Sequence, residues 1–301
     1  MSTLSHLYIW LVKDRWSLGF IEEPLSDIVY GRTYDIHYVT GIPRYKWYAD
    51  PFILDCDDKQ IELLVEEWSY SKNIGRIAKL TIDRHSYRII DESIVLELDT
   101  HLSFPFIQRK DDVIYVSPEN AFSGVWNQFE FNRKTNKLEN KRVIISEPLT
   151  DAISTSLFGE ELIFSTHLPT ANKSVLSIYN SQGMLLNSIH FSSNIARGAG
   201  DWFMLDGKVY RPAQDCNGGY GKAVIIQEVK RMGGYNFEFK DVCRVESNNA
   251  KFNRGLHTLN HYKGLTVVDV NGYKRKFLGR LTDILKSFFS CRKNRQILKK
   301  N

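Results

Sequence analysis

Carboxylates and imidazoles stand at matching places in successive stretches of this chain, and these are the groups that move protons in carbohydrate chemistry. Glu66 and Glu67, Glu119, His167, Asp215 and Asp269 each end a short apolar run that follows a polar turn. Asp50, Asp151, Arg211 and His257 stand in or just ahead of the same runs. Two carboxyl groups flanking one sugar bond can act as general acid and general base. An arginine offers a forked donor to phosphate or carboxylate. Groups repeated at one offset converge in space, so these residues are expected to share a site.

Each residue also has a purely structural reading. Asp50 precedes Pro51, which biases it to extended or turn geometry, and a turn-capping role competes with a catalytic one. Glu119 follows Pro118 in a similar setting. Glu66 and Glu67 are neighbours on a strand and point to opposite faces; Glu67 fits the repeat offset and is assigned to the site, Glu66 to the surface. In RPAQD, Arg211, Gln214 and Asp215 suit either ligand contact or a buried pair that locks the fold. His167 and His257 suit either ligand contact or a hydrogen-bonded core position. Trp47 and Trp68 could stack on sugars or pack a sheet. Tyr220 lies in the glycine-rich CNGGYG loop, which carries no nucleotide fingerprint.

The elements that must position these groups follow from an internal repeat. DPFILDCDDKQIELLVEEW, FPFIQRKDDVIYVSPEN, STSLFGEELIFSTH, DWFMLDGKVYRPAQD and LHTLNHYKGLTVVDV each read as two apolar strands around a tight turn. The turns centre near Asp58, Asp111, Glu160, Gly207 and Lys263, about 51 residues apart, the spacing of four-stranded blades. IGRIAKLTID, QFEFNRKTNKLEN, VLSIYNSQGMLLNSIHF and AVIIQEVKRM read as the outer hairpins. The expected fold is all-β: a five-bladed β-propeller over residues 1–273, its ring closed by the N-terminal LYIWLV segment. A short amphipathic basic helix is expected in a tail of residues 274–301.

Composition narrows the function classes. The 301 residues are 43% hydrophobic and 25% charged, which excludes a disordered or low-complexity chain. The net charge of +5 misleads, because the tail from Lys274 onward carries +9 and leaves the body at −4. No basic surface is therefore expected on the body, and nucleic acid is not an expected partner. Phe277, Leu281, Ile284, Leu285, Phe288 and Phe289 form a helical stripe opposite the tail's basic residues. That pattern fits an anionic membrane surface, with packing on a blade as the alternative. The four cysteines are widely spaced, no apolar run is long enough to span a bilayer, and no leader is legible. A cytoplasmic protein, peripheral at the inner membrane face, is expected. No metal ligand set is assigned: Asp57-Asp58 and Asp111-Asp112 read as turn acids, and a divalent metal stays open.

WYADPFI, HLSFPF with SPE, DAIST, RPAQDC with YG, and GLHTL together resemble the propeller domain at the N-terminus of glucosamine inositolphosphorylceramide transferases. The resemblance covers roughly residues 5 to 272. More distantly, WYADPFI is similar to the opening motif of arabinanase/β-xylosidase-type glycoside hydrolases. The resemblance to the hydrolases implies Asp50 as general base, Glu119 as general acid and Glu67 or Asp151 as a third, pKa-tuning acid. It also implies His257 near the channel, where a metal ion is often found. Arg211, Gln214, Asp215, His167, Trp47, Trp68 and Tyr220 complete the expected substrate-binding set. The expected function is a glycosyltransferase of surface polysaccharide or glycolipid assembly. It would take a nucleotide sugar as donor and a saccharide or lipid-linked saccharide as acceptor. A glycoside hydrolase and a non-catalytic sugar-binding propeller are the alternatives.

Overall fold

The computed structural model describes residues 14–273, together with Phe277 and Gly279. Five antiparallel four-stranded sheets make up the described chain. Blade 1 is β3 (Lys46–Cys56), β4 (Gln60–Ser69), β5 (Ile74–Asp83) and β6 (Ile89–Leu96). Blade 2 is β7 (Ser103–Lys110), β8 (Val113–Glu119), β9 (Trp126–Asn132) and β10 (Lys137–Ile145). Blade 3 is β11 (Leu149–Thr155), β12 (Leu162–His167), β13 (Val175–Asn180) and β14 (Leu185–His190). Blade 4 is β15 (Phe203–Leu205), β16 (Lys208–Asp215), β17 (Ala223–Gly233) and β18 (Asn236–Val245). Blade 5 joins β19 (Leu259–Tyr262) and β20 (Leu265–Tyr273) to β1 (Asp14–Ile21) and β2 (His37–Tyr38) from the other end of the chain. The fold is the five-bladed β-propeller, and helix is confined to α1 (Leu25–Val29) and one 3-10 turn among the elements described.

Each inner hairpin turns where the repeat puts it, for a local reason. Asp111-Asp112, Asp206-Gly207 and Lys263-Gly264 each place two consecutive residues at positive φ, the geometry of a two-residue hairpin whose twist matches its strands. In blade 1 the Asp57 carboxylate instead accepts the N–H groups of Lys59 and Gln60 at 2.8 and 2.9 Å. Of the four segments read as outer hairpins, two are hairpins (β9–β10 and β13–β14). IGRIAKLTID is the single strand β5, and AVIIQEVKRM is part of the single strand β17. The ring is closed by β1, which pairs with β20 from Asp14↔Tyr273 to Ile21↔Thr266. The LYIWLV segment and the tail helix lie outside the described residues.

Packing between blades makes the core. Phe52, Phe104, Phe106, Phe164 and Trp202 belong to one buried cluster spanning blades 1 to 4, and two smaller clusters flank blade 5. Toward the end of the channel remote from Asp50, the Arg109 guanidinium donates to the carbonyls of Ile53 and Leu54 at 2.7 and 3.1 Å. It also lies 3.8 Å over the Tyr262 ring, tying blades 1, 2 and 5 together.

Candidate functional site

Three inner strands break their ladder at the same place. Register shifts lie between Ala49 and Phe52 in β3, Ser103 and Phe106 in β7, and Thr150 and Ile153 in β11. At each, a non-glycine residue is forced to positive φ: Asp50 at 49°, Phe104 at 41° and Asp151 at 46°. Such a conformation costs roughly 1–2 kcal/mol per residue, and it re-aims the side chain and the backbone N–H. Carboxylates take up the re-aimed N–H groups. Asp50 N–H donates to Asp269 at 3.0 Å, Phe104 N–H to Asp50 at 3.1 Å, and Asp151 N–H to Glu119 at 3.1 Å. The strain is thus tied to a ring of acids crossing blades 5, 1, 2 and 3.

Around this ring the repeat gathers Asp50, Glu66, Glu119, Asp151 and Asp269, all buried. Gln214 of blade 4 donates to Asp151 at 2.6 Å and to the Gly198 carbonyl at 2.8 Å. Thr258 donates its hydroxyl to Asp50 at 2.8 Å. His257 places Nε2 at 3.4 Å from Asp50, and Nδ1 at 2.6 Å from Asp269, close enough for an ion pair though off the line of a hydrogen bond. Trp16 stacks on the His257 ring at 3.9 Å, and Tyr220 meets its edge at 5.1 Å.

The arginine that serves this site is Arg197, from the loop between blades 3 and 4. It donates to Asp151 at 2.5 and 3.2 Å, to Glu119 at 3.1 Å and to Asn172 at 2.9 Å. Sequence reading missed it because it lies between repeats. The one local signal is its small-residue setting, Ala196-Arg197-Gly198-Ala199-Gly200, where the backbone must pass close to neighbouring strands. A Cβ on Gly200 would sit 1.9 Å from the Leu259 carbonyl oxygen.

Several expected residues lie elsewhere. Arg211 is buried within blade 4, donates to the carbonyls of Ile195 and Ala196, and packs between Phe191 and Phe239. Burial lowers its pKa to about 9. Asp215 holds Arg244 at 2.5 Å and caps Asn217. His167 pairs with the Tyr179 hydroxyl at 2.5 Å, beside Glu147. The glutamates of blade 1 are reversed from expectation. Glu67, opposite Tyr48, pairs with Arg76 at 2.7 Å and Lys46 at 3.6 Å, whereas Glu66 turns toward the acids. The irregular register beside Asp50 defeats a count from the turn. Trp47 and Trp68 stack at 5.6 Å, and Trp68 leads to His101 at the same spacing. His101 accepts the Gly75 N–H on Nδ1 at 2.9 Å, so its proton sits on Nε2, 3.6 Å from Glu66.

Five carboxyl groups here share Arg197 and His257, and their environments split their protonation. Burial pushes Glu66 well above the carboxylate range, and the charges of Asp50 and Glu119 add to it. Glu119 is also raised well above the usual value by burial, against the pull of Arg197. Asp50 rises to about 6 through burial, which His257 partly offsets. Asp151 is driven up by burial, but Arg197 outweighs that and holds it below the usual value. Burial opposes protonation of His257, yet Asp269 and Asp50 raise its pKa; burial lowers His101 to about 4. Burial and Arg197 thus split these acids: Glu66 and Glu119 are pushed toward the protonated form and Asp151 toward the carboxylate. Asp50, with a pKa of about 6, is mostly ionised near neutral pH. Asp50, His257 and Asp269 present ligand atoms within 4.8 Å of one another and form the one set among the described residues that could hold a metal ion.

The fold and the site together define a five-bladed β-propeller with a buried acid–histidine mouth. Residues 39–272 match the family described as glucosamine inositolphosphorylceramide transferase 1, N-terminal, and the chain belongs to that family. It is 31% identical over 208 residues to glucosamine inositolphosphorylceramide transferase 1 of Arabidopsis thaliana, covering 64% of this chain and 26% of that protein. To the Oryza sativa subsp. japonica protein of the same name it is 27% identical over 161 residues, covering 50% and 21%. The matches thus span about a quarter or less of these relatives' length. Similar solved structures include an exo-1,5-alpha-L-arabinanase from a bovine ruminal metagenomic library, with 12% identity, TM-score 0.46, and coverage of 67% of this chain and 80% of that one. The Cellvibrio cellulosa alpha-L-arabinanase complexed with arabinohexaose gives 14% identity, TM-score 0.46, and coverage of 66% and 78%.

Proposed function

We propose that this propeller carries out glycosyl transfer from a nucleotide sugar to a saccharide or lipid-linked acceptor, with the chemistry at the acid mouth. The observation that carries the reading is the convergence of Asp50, Glu119, Asp151 and His257 from four blades on one buried site, in a family whose relatives are named as transferases. Asp50 is the general base on the acceptor hydroxyl, because its pKa of about 6 leaves it mostly ionised yet basic near neutrality. Arg197 keeps Asp151 ionised and orients Glu119. Trp47 and Trp68 are the stacking face for the acceptor sugar. The basic tail holds the enzyme at the cytoplasmic membrane face, where a lipid-linked acceptor is presented.

Glycoside hydrolysis is the second reading. Its support is the split between Asp50 and the more strongly raised Glu119, which suits a base and an acid acting across one glycosidic bond. The two readings part on where the sugar goes. The protein, incubated with a panel of nucleotide sugars and a lipid-linked acceptor, should move label to the acceptor. Label released only to water, or only from aryl glycosides, would replace transfer with hydrolysis.

A further inference from the structure

Beyond the acid mouth, a second cavity of about 470 Å³ lies between blades 5 and 1. It is lined by Arg15, Arg44, Lys251, Tyr38, Phe252 and Tyr273 among others, and the described lining contains no acid. In a body whose net charge is negative, Arg15 and Lys251 face one cavity whose described lining holds no carboxylate. Arg15 stands out. It is part-buried on β1, burial lowers its pKa, and no carboxylate lies within ion-pair distance of it among the described residues. Arg76 and Arg197, part-buried near the acids, are by contrast paired with carboxylates. Desolvating a guanidinium without a counter-charge is costly unless a ligand supplies one.

The rest of the lining says what accompanies the charge. The Tyr38 and Phe252 rings lie 4.8 Å apart at a 30° tilt, and the Lys251 ammonium sits 4.8 Å over the Phe252 ring. Tyr273 carries the Arg254 guanidinium at 4.2 Å. A volume of about 470 Å³ lies in the range of small-molecule sites and far exceeds what a lone phosphate fills. The cavity adjoins the acid site through a single strand residue: Trp16, next to Arg15 and so on the opposite face of β1, stacks on His257. The acid mouth, crowded with carboxyl groups, is a poor place for a phosphate; this cavity is a good one.

We propose that the Arg15 cavity is a binding site for a phosphate ester, with Arg15 and Lys251 on the phosphate oxygens and the Tyr38, Phe252 and Tyr273 rings against the organic part. The ester is either the diphosphate of a nucleotide or the phosphodiester headgroup of a lipid; both carry the anion and the bulk that the lining asks for. The site is inferred from the cavity itself and does not rest on the transferase reading.

The test is calorimetric titration of the full chain at low salt with three probes: uridine diphosphate, glycerophosphoglycerol and inorganic phosphate. The organic esters should bind more tightly than inorganic phosphate. Arg15→Gln should weaken the tighter of them by about tenfold or more, the loss of one charge-assisted contact, and Lys251→Gln by a smaller factor. Lys251 is exposed, so its variant stays informative if Arg15→Gln folds poorly. Asp50→Asn should leave this affinity unchanged, which separates the cavity from the acid site. Preference for the nucleotide assigns the cavity to a donor, and preference for the phosphodiester assigns it to an acceptor headgroup; either supports the site. No binding of either ester, or affinities untouched by both cavity variants, overturns it whatever turnover assays report.

Discussion

Replacing Arg197 with glutamine removes the cation that Asp151 and Glu119 share. Arg197 makes two contacts to Asp151, at 2.5 and 3.2 Å, and one to Glu119 at 3.1 Å, with all three side chains largely out of solvent. Breaking a buried ion pair by deleting one partner costs about 3–5 kcal/mol, because a charge is left without compensation. At about 2 °C per kcal/mol for a domain of this size, Tm should fall by about 6–10 °C. The loss has a pH signature. In the native protein Arg197 holds Asp151 below its ordinary pKa, so the stability from Asp151 is present above the unfolded value of about 4 and is lost as pH falls through the folded value. Without Arg197, burial acts on Asp151 against only the weaker pull of Glu119 and His257, its folded pKa moves above the unfolded one, and stability then declines as pH rises. The Tm gap should therefore be widest at neutral and alkaline pH and should narrow toward about pH 4. Thermal unfolding followed by circular dichroism across that range, on variants with native β-sheet spectra, reads it directly. A gap under about 2 °C, or one that does not change with pH, would refute the argument that Arg197 sets the protonation of this site.

Three further expectations follow from the same geometry. Glu66 is a buried acid with a strongly raised pKa, so it costs stability as pH rises toward that pKa; Glu66→Gln should raise Tm at pH ~8, whereas Glu67→Ala, which strips a partner from Arg76 and Lys46, should cost about 1–3 kcal/mol in the same melts. Gly200→Ala forces a Cβ to within 1.9 Å of the Leu259 oxygen at φ 152°, where blades 4 and 5 are joined by the Leu259 N–H to Ala199 carbonyl bond; a loss of about 2–4 kcal/mol by chemical denaturation is expected. Deleting residues 274–301 should leave the melting temperature unchanged and abolish salt-sensitive sedimentation with anionic vesicles; equal pelleting of both forms at low salt would remove the membrane proposal.

The blades were legible because their turns are chemically explicit: Asp-Asp, Asp-Gly and Lys-Gly at positive φ mark three inner hairpins, and apolar strands flank every one. LYIWLV, the more hydrophobic segment, was read as the closing strand and lies outside the described residues; among those, β1 pairs with β20. The strand that pairs, DRWSLGFI, begins with two charged residues and so carries the weaker apolar signal. Asp50, Glu119, Asp151 and His257 could be found by offset, since the repeat carries them to one level of the channel. Glu66 was exchanged for Glu67 because the strand opposite is bulged at Asp50, and a bulge cannot be seen in an alternation count. Arg211 was preferred to Arg197 because it lies inside a repeat. Arg211 packs against two aromatic rings, and the acid cluster draws its cation from an inter-blade loop. Trp16 and Thr258 have no motif; only ring closure brings them to His257 and Asp50.

The proposed role of Asp50 as the base of a transfer reaction at the acid mouth is tested most directly by one comparison. Transfer from a nucleotide sugar to a lipid-linked acceptor is measured for the native protein and for Asp50→Asn, with both confirmed folded by their melting curves. The expected result is robust transfer by the native protein and a loss of about 100-fold or more in kcat for Asp50→Asn, the ordinary contribution of a positioned general base. Transfer that survives the Asp50→Asn substitution undiminished would contradict it.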